Sequence, residues 1–92
     1  MRLGELITNP QYAFIGTNTT SVLKYGAGTL QRITNLDNSG NVTIYDNVNA
    51  SGTQIAVIDT AKALGTLEFN APFNNGLTVV TALGAKVTVI YE

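Results

Sequence analysis

From Gly16 onward the glycines of this chain stand at positions 16, 26, 28, 40, 52, 65, 76 and 84. With Gly26 and Gly28 taken as one site, the intervals run from 8 to 13 residues. Glycine takes backbone conformations that other residues avoid, so it marks places where a chain turns. Turn marks repeated at about 8 to 12 residues are the pattern of a sandwich or barrel of short strands. The residues between them fit. Thr, Val and Ile together number 28, and β-branched side chains suit a pleated, half-buried surface better than a helix.

Eight strands can be read between the turns, at Gln11 to Gly16, Thr20 to Tyr25, Thr29 to Leu36, Asn41 to Asp46, Gln54 to Asp59, Gly65 to Asn70, Leu77 to Thr81 and Lys86 to Tyr91. Eight is the jelly-roll number. Successive strand residues point to opposite sides, so Val42 and Ile44 share a face away from Thr43 and Tyr45, and Leu67 and Phe69 oppose Glu68 and Asn70. Val87, Val89 and Tyr91 likewise oppose Thr88 and Ile90. One apolar face per strand is what two packed sheets need. The expectation is therefore an all-β chain, a single antiparallel β-sandwich, jelly-roll-like, with about eight short strands over residues 11–92. Asn38-Ser39-Gly40 reads as a tight hairpin turn and Asn47 to Gly52 as a longer loop. Thr60 to Leu64 is the one helix-like stretch, too short to stand alone, and reads as a single turn or a crossover between sheets.

Residues 1–10 differ in kind. Leu3, Leu6 and Ile7 are apolar, and Pro10 separates them from the first strand, so the segment is either an edge strand of its own domain or an arm laid on another subunit. Glu5 interrupts the apolar run and Thr8-Asn9-Pro10 ends it too early for a signal peptide. No stretch approaches the roughly 18 apolar residues of a membrane helix. The expected product stays in the cytoplasm that makes it, or is assembled there into something larger.

Composition narrows the chemistry. The 92 residues hold no Cys, no His and no Trp, which removes Ser-His and Cys-His nucleophile pairs, thiolate or imidazole metal sites and disulfides. Five basic residues, Arg2, Lys24, Arg32, Lys62 and Lys86, are scattered against six acidic ones for a net charge of -1. There is no basic stripe to neutralise phosphates, and no nucleic-acid partner is expected. A domain of this size buries only about 60 to 65% of its unfolded surface, so neighbouring subunits would add stability.

Several motifs have a plainer reading beside the functional one. Tyr25-Gly26-Ala27-Gly28-Thr29 is Gly-rich, but a phosphate cradle opens a helix and usually carries a Lys, whereas a β-rich run follows here; a tight turn between strands is the reading. Asn47, Asn49, Ser51 and Gly52 echo a calcium loop, yet the series begins with an amide and Ile58 stands where a bidentate Glu would close the shell. Paired carboxylates drawn from Asp37, Asp46, Asp59, Glu68 and Glu92 could support glycoside hydrolysis, but a domain short of core has little volume to give to a cleft. No catalytic, cofactor or metal residue is assigned, and enzyme activity is not expected. Among the aromatics, Tyr12 and Phe14 share one side of the first strand and are the candidates for an exposed interface, beside Leu3, Leu6 and Ile7 of the arm.

The framework runs Val22 to Leu30, Val42 to Asp46, Gly52 to Asp59, Gly65 to Phe69 and Asn75 to Thr81 resemble small virion proteins of tailed bacteriophages, over about residues 20–92. That resemblance implies a β-sandwich that decorates or cements a capsid, or that forms a domain of a fibre. It implies a homo-oligomer, a trimer by preference, clamping neighbouring subunits of the major capsid protein lattice on the capsid exterior of the virion, made in the bacterial host cytoplasm. The alternative it carries is a receptor- or glycan-binding module of a phage tail or fibre.

Overall fold

The computed structural model describes residues 10–35, 40–59, 65–82 and 85–92. Eight strands lie within them: β1 (Gln11–Ile15), β2 (Thr19–Tyr25), β3 (Gly28–Asn35), β4 (Asn41–Tyr45), β5 (Gln54–Asp59), β6 (Gly65–Phe73), β7 (Gly76–Thr81) and β8 (Val87–Tyr91). They form two four-stranded sheets, ordered β1-β8-β3-β6 and β2-β7-β4-β5, and the pairings are antiparallel. The chain is the all-β sandwich its glycine spacing predicts. Pairing β1 with β8, β2 with β7, β3 with β6 and β4 with β5 sets the first half of the chain against the second. This is one long hairpin rolled into two layers, the jelly-roll arrangement.

Asn38 and Ser39 lie outside the described residues, but the pairing of the strands on either side corrects the reading of Asn38-Ser39-Gly40 as a tight hairpin. A tight hairpin would pair β3 with β4, but β3 pairs with β6 and β8 while β4 pairs with β5 and β7. The apolar faces decide this: Leu30 and Ile33 of β3 and Val42 and Ile44 of β4 are all fully buried, and they enter one core from opposite sheets. Among the described residues, only β4 and β5, joined through the Asn47 to Gly52 loop, are neighbours both in sequence and in a sheet. The Thr60 to Leu64 stretch lies outside the described residues, but β5 and β6, which it joins, belong to different sheets.

The sixth strand runs three residues past its expected end at Asn70. Between the Leu30–Ala71 and Arg32–Glu68 pairs, β6 carries one residue more than β3, and Asn70 takes a positive φ of 49°. Such a bulge lets a strand continue through an irregularity. Pro72, which has no N–H to give, is tolerated because β6 is an edge.

The core is built from both sheets: Ile15, Leu30, Ile33, Phe73, Val87 and Val89 from one, Val42, Ile44, Ile58, Leu77 and Val79 from the other, with Ala85 beside them. Burying each of the larger side chains contributes about 1.5 to 3 kcal/mol. Near one end, Gly28 follows the passage from β2 to β3. A Cβ there would collide with the Glu92 carbonyl oxygen and come within 2.7 Å of Phe73 Cζ, so the close approach requires glycine.

Candidate interaction surface

Both aromatic residues of β1 stand on the outer face of the first sheet, where Tyr12 is 77% and Phe14 57% exposed. Alternation places them there, because Ile15 and the neighbouring Val87 and Val89 take the inner face. The Phe14 ring extends over Gly16, where an added Cβ would come within 3.0 Å of it. The absence of a side chain at Gly16 leaves room for the ring to lie along the strand.

Register extends this pair into two rows across the sheet. Tyr12 lies opposite Ile90, Ile90 opposite Arg32 and Arg32 opposite Glu68. Phe14 lies opposite Thr88, Thr88 opposite Thr34 and Thr34 opposite Thr66. The surface thus grades from an aromatic margin at β1 to a polar margin at β6. There Arg32 Nε donates to Glu68 Oε2 at 3.2 Å, and the Thr34 and Thr66 hydroxyls meet at 3.1 Å. Gln31 donates from its amide to the Glu92 carboxylate.

The outer face of the second sheet is different in kind. Thr20, Val80, Thr43 and Val57 form a β-branched row across it. The loop after β4 folds over the start of β7. Thr78 Oγ1 donates to the Asn47 carbonyl at 2.7 Å, and a Cβ on Gly76 would meet Val48 and Asn47 at 2.8 and 2.9 Å. Within the loop, Val48 N–H donates to Asn47 Oδ1 at 2.8 Å and the Ser51 hydroxyl donates to Asn49 Oδ1. The amide oxygens that echoed a calcium loop therefore accept hydrogen bonds from the loop itself.

Three of the carboxylates considered for paired chemistry have local partners: Glu68 has Arg32, Glu92 has Gln31, and Asp46 holds the backbone of the β6–β7 turn. Backbone N–H groups, Asn75 first, lower the Asp46 pKa against an opposing desolvation effect. Asp37 and the side chain of Asp59 lie outside the described residues, as do Leu3, Leu6 and Ile7. Among the described residues no three acidic side chains gather as a metal site, and no helix is long and apolar enough to cross a membrane.

Three exposed apolar residues were not singled out by the sequence, Tyr25 at 74%, Val57 at 56% and Val48 at 37% exposure. Tyr25 could have been found from its place at a strand end beside Gly26. Val57 sits within Ile55-Ala56-Val57-Ile58, where every side chain is apolar and alternation gives no sign of which faces out. Comparison with protein-family models, curated proteins and solved structures finds no match.

Proposed function

We propose that this protein works by contact, as a structural virion protein that decorates and stabilises a tailed-phage capsid by clamping neighbouring capsid subunits. The observation that supports this reading is the Tyr12–Phe14 pair, two large aromatic side chains left in water beside a completed core. Covering an aromatic side chain stabilises by about 1.5 to 3 kcal/mol, so a lattice that closes over this margin gains what the isolated domain forgoes. The β1-to-β6 gradient supplies an apolar contact patch flanked on one side by polar Arg32, Glu68, Thr34 and Thr66, the mixture of apolar and polar surface that protein interfaces use. Repeated over many lattice positions, contacts of modest strength hold through effective concentration.

Purified protein added to expanded, undecorated capsids of the same phage is expected to bind saturably and in register with the lattice. The double variant Tyr12→Ser, Phe14→Ser, with its sandwich intact, is expected to bind at least about tenfold more weakly, the loss of about 1.4 kcal/mol of contact. Absence of binding by the unaltered protein overturns the reading. A second reading, a receptor- or glycan-binding module, draws on the exposed Tyr25 at the β2 end. Saturable attachment to host cells that is lost in Tyr25→Ser would favour it.

A further inference from the structure

Four strand edges bound the two sheets, at β1, β6, β2 and β5. Three of them carry devices that discourage pairing with another chain. The sixth strand has its bulge, Pro72 and Glu68. The second has a register shift between Val22 and Lys24, and the lysine itself. The fifth carries one residue more than β4 near Tyr45 and ends on Asp59. By contrast, β1 pairs with β8 in unbroken register from Gln11 to Ile15 and contains no charge, no proline and no bulge. Among the described residues no strand pairs with its outer edge.

The hydrogen-bond parity of that edge can be worked out. Thr29 and Glu92 exchange both backbone hydrogen bonds, at 3.1 and 2.9 Å, so Glu92 turns its peptide groups toward β3. Successive residues of an antiparallel strand alternate, so Tyr91, Val89 and Val87 turn theirs toward Gln11, Ala13 and Ile15 of β1. The N–H and C=O of Tyr12 and Phe14 then face the open edge.

We propose that this edge pairs with β1 of a second copy of the chain, antiparallel about a two-fold axis at Ala13, joining two four-stranded sheets into one of eight. Full overlap of Gln11–Ile15 with itself sets Tyr12 opposite Phe14 of the second copy, and Phe14 opposite its Tyr12. These are the residues whose peptide groups are available, so the longest register is also the one with correct hydrogen-bond parity. The same register places two aromatic cross-strand pairs on the outer face, a favoured combination. It opposes no like charges, because the strand has none. Ala13 meets its counterpart as a non-hydrogen-bonded pair, with a small side chain where the strands come closest. The contact is self-complementary and closes at two copies. It goes beyond the capsid reading and does not rest on it, since pure protein suffices to test it.

Sedimentation equilibrium of the intact chain is expected to give a concentration-dependent dimer. Phe14→Pro removes an N–H that faces the open edge while sparing those that face β8, and is expected to give a monomer with an unchanged β-sheet spectrum. Ala13→Cys tests the register without depending on that variant's folding. The chain has no other cysteine, and a pair with Cα atoms about 4.5 Å apart lies within disulfide reach. Under mild oxidant it is expected to cross-link about tenfold faster or more than Thr66→Cys at the β6 edge, through raised effective concentration. A chain that stays monomeric at all concentrations, a trimer, or equal cross-linking of the two cysteine variants overturns the proposal.

Discussion

The carboxylate of Asp46 accepts the backbone N–H of Asn75 at 2.8 Å, joining the end of β4 to a turn 29 residues further along the chain. Asn74 N–H reaches the same carboxylate at 3.0 and 3.1 Å. Because Thr78 also donates to the Asn47 carbonyl, this corner is held both by a charge and by a hydroxyl.

Asp46→Asn is therefore expected to destabilise the fold at neutral pH by about 1 kcal/mol, a charged hydrogen-bond contribution reduced for solvent exposure. Hydrogen bonds from Asn75, Asn74 and Gly76 lower the folded-state pKa. The stabilisation is thus fully present above the unfolded value near roughly 3.9 and is lost as pH falls through the folded one. Urea unfolding of both proteins at pH 7 and near pH 2.5 checks this, with the difference between them expected to narrow in acid.

Glycines 28 and 26 should respond differently to alanine. At Gly28 a methyl group meets the Glu92 carbonyl oxygen and the Phe73 ring, and overpacking of that kind costs about 1 to 3 kcal/mol or more. At Gly26 nothing lies within 4 Å, but φ is 90°, which leaves about 1 to 2 kcal/mol of backbone strain. Thermal unfolding is expected to rank Gly28→Ala below Gly26→Ala, with Phe73 ring NMR shifts altered only in the former.

Thr81→Val removes a fully buried hydroxyl at nearly constant shape. That oxygen donates to the Thr17 carbonyl and accepts the Thr19 N–H at 3.3 Å. The expected loss is about 1 to 3 kcal/mol, from backbone groups left without their partner. Denaturant midpoints measure it, and amide exchange at Thr19 is expected to accelerate.

The Arg32–Glu68 pair should contribute little by comparison. Its side chains are 42% and 58% exposed, and a double-mutant cycle through alanine is expected to return a coupling of about 0.5 kcal/mol or less that fades with added salt.

Much of the sandwich was readable because period-two alternation and glycine spacing report directly on local geometry. Val42, Ile44, Val87 and Val89, read as sharing apolar faces, are all fully buried. Asn38-Ser39-Gly40 misled because turn residues specify a change of direction and say nothing about the partner strand. That choice belongs to faces more than thirty residues apart, as when Leu30 pairs with Ala71. The extension of β6 was hidden by Pro72, whose tolerance depends on its being at an edge, a property of the assembled sheet. Tyr12 and Phe14 were legible as a same-side pair. Their rows through Ile90 and Arg32 were not, since register between distant strands leaves no mark in either strand alone.

The rolled hairpin also sets an order of events. Only β4 and β5 can meet through a short loop, while β1 must wait for residues 87–91, its partner strand far along the chain. Long-range pairing of this sort is slow to form. The strand bearing Tyr12 and Phe14 is thus made well before its partner, so a nascent chain carries two exposed aromatic side chains on an unseated strand until β8 emerges.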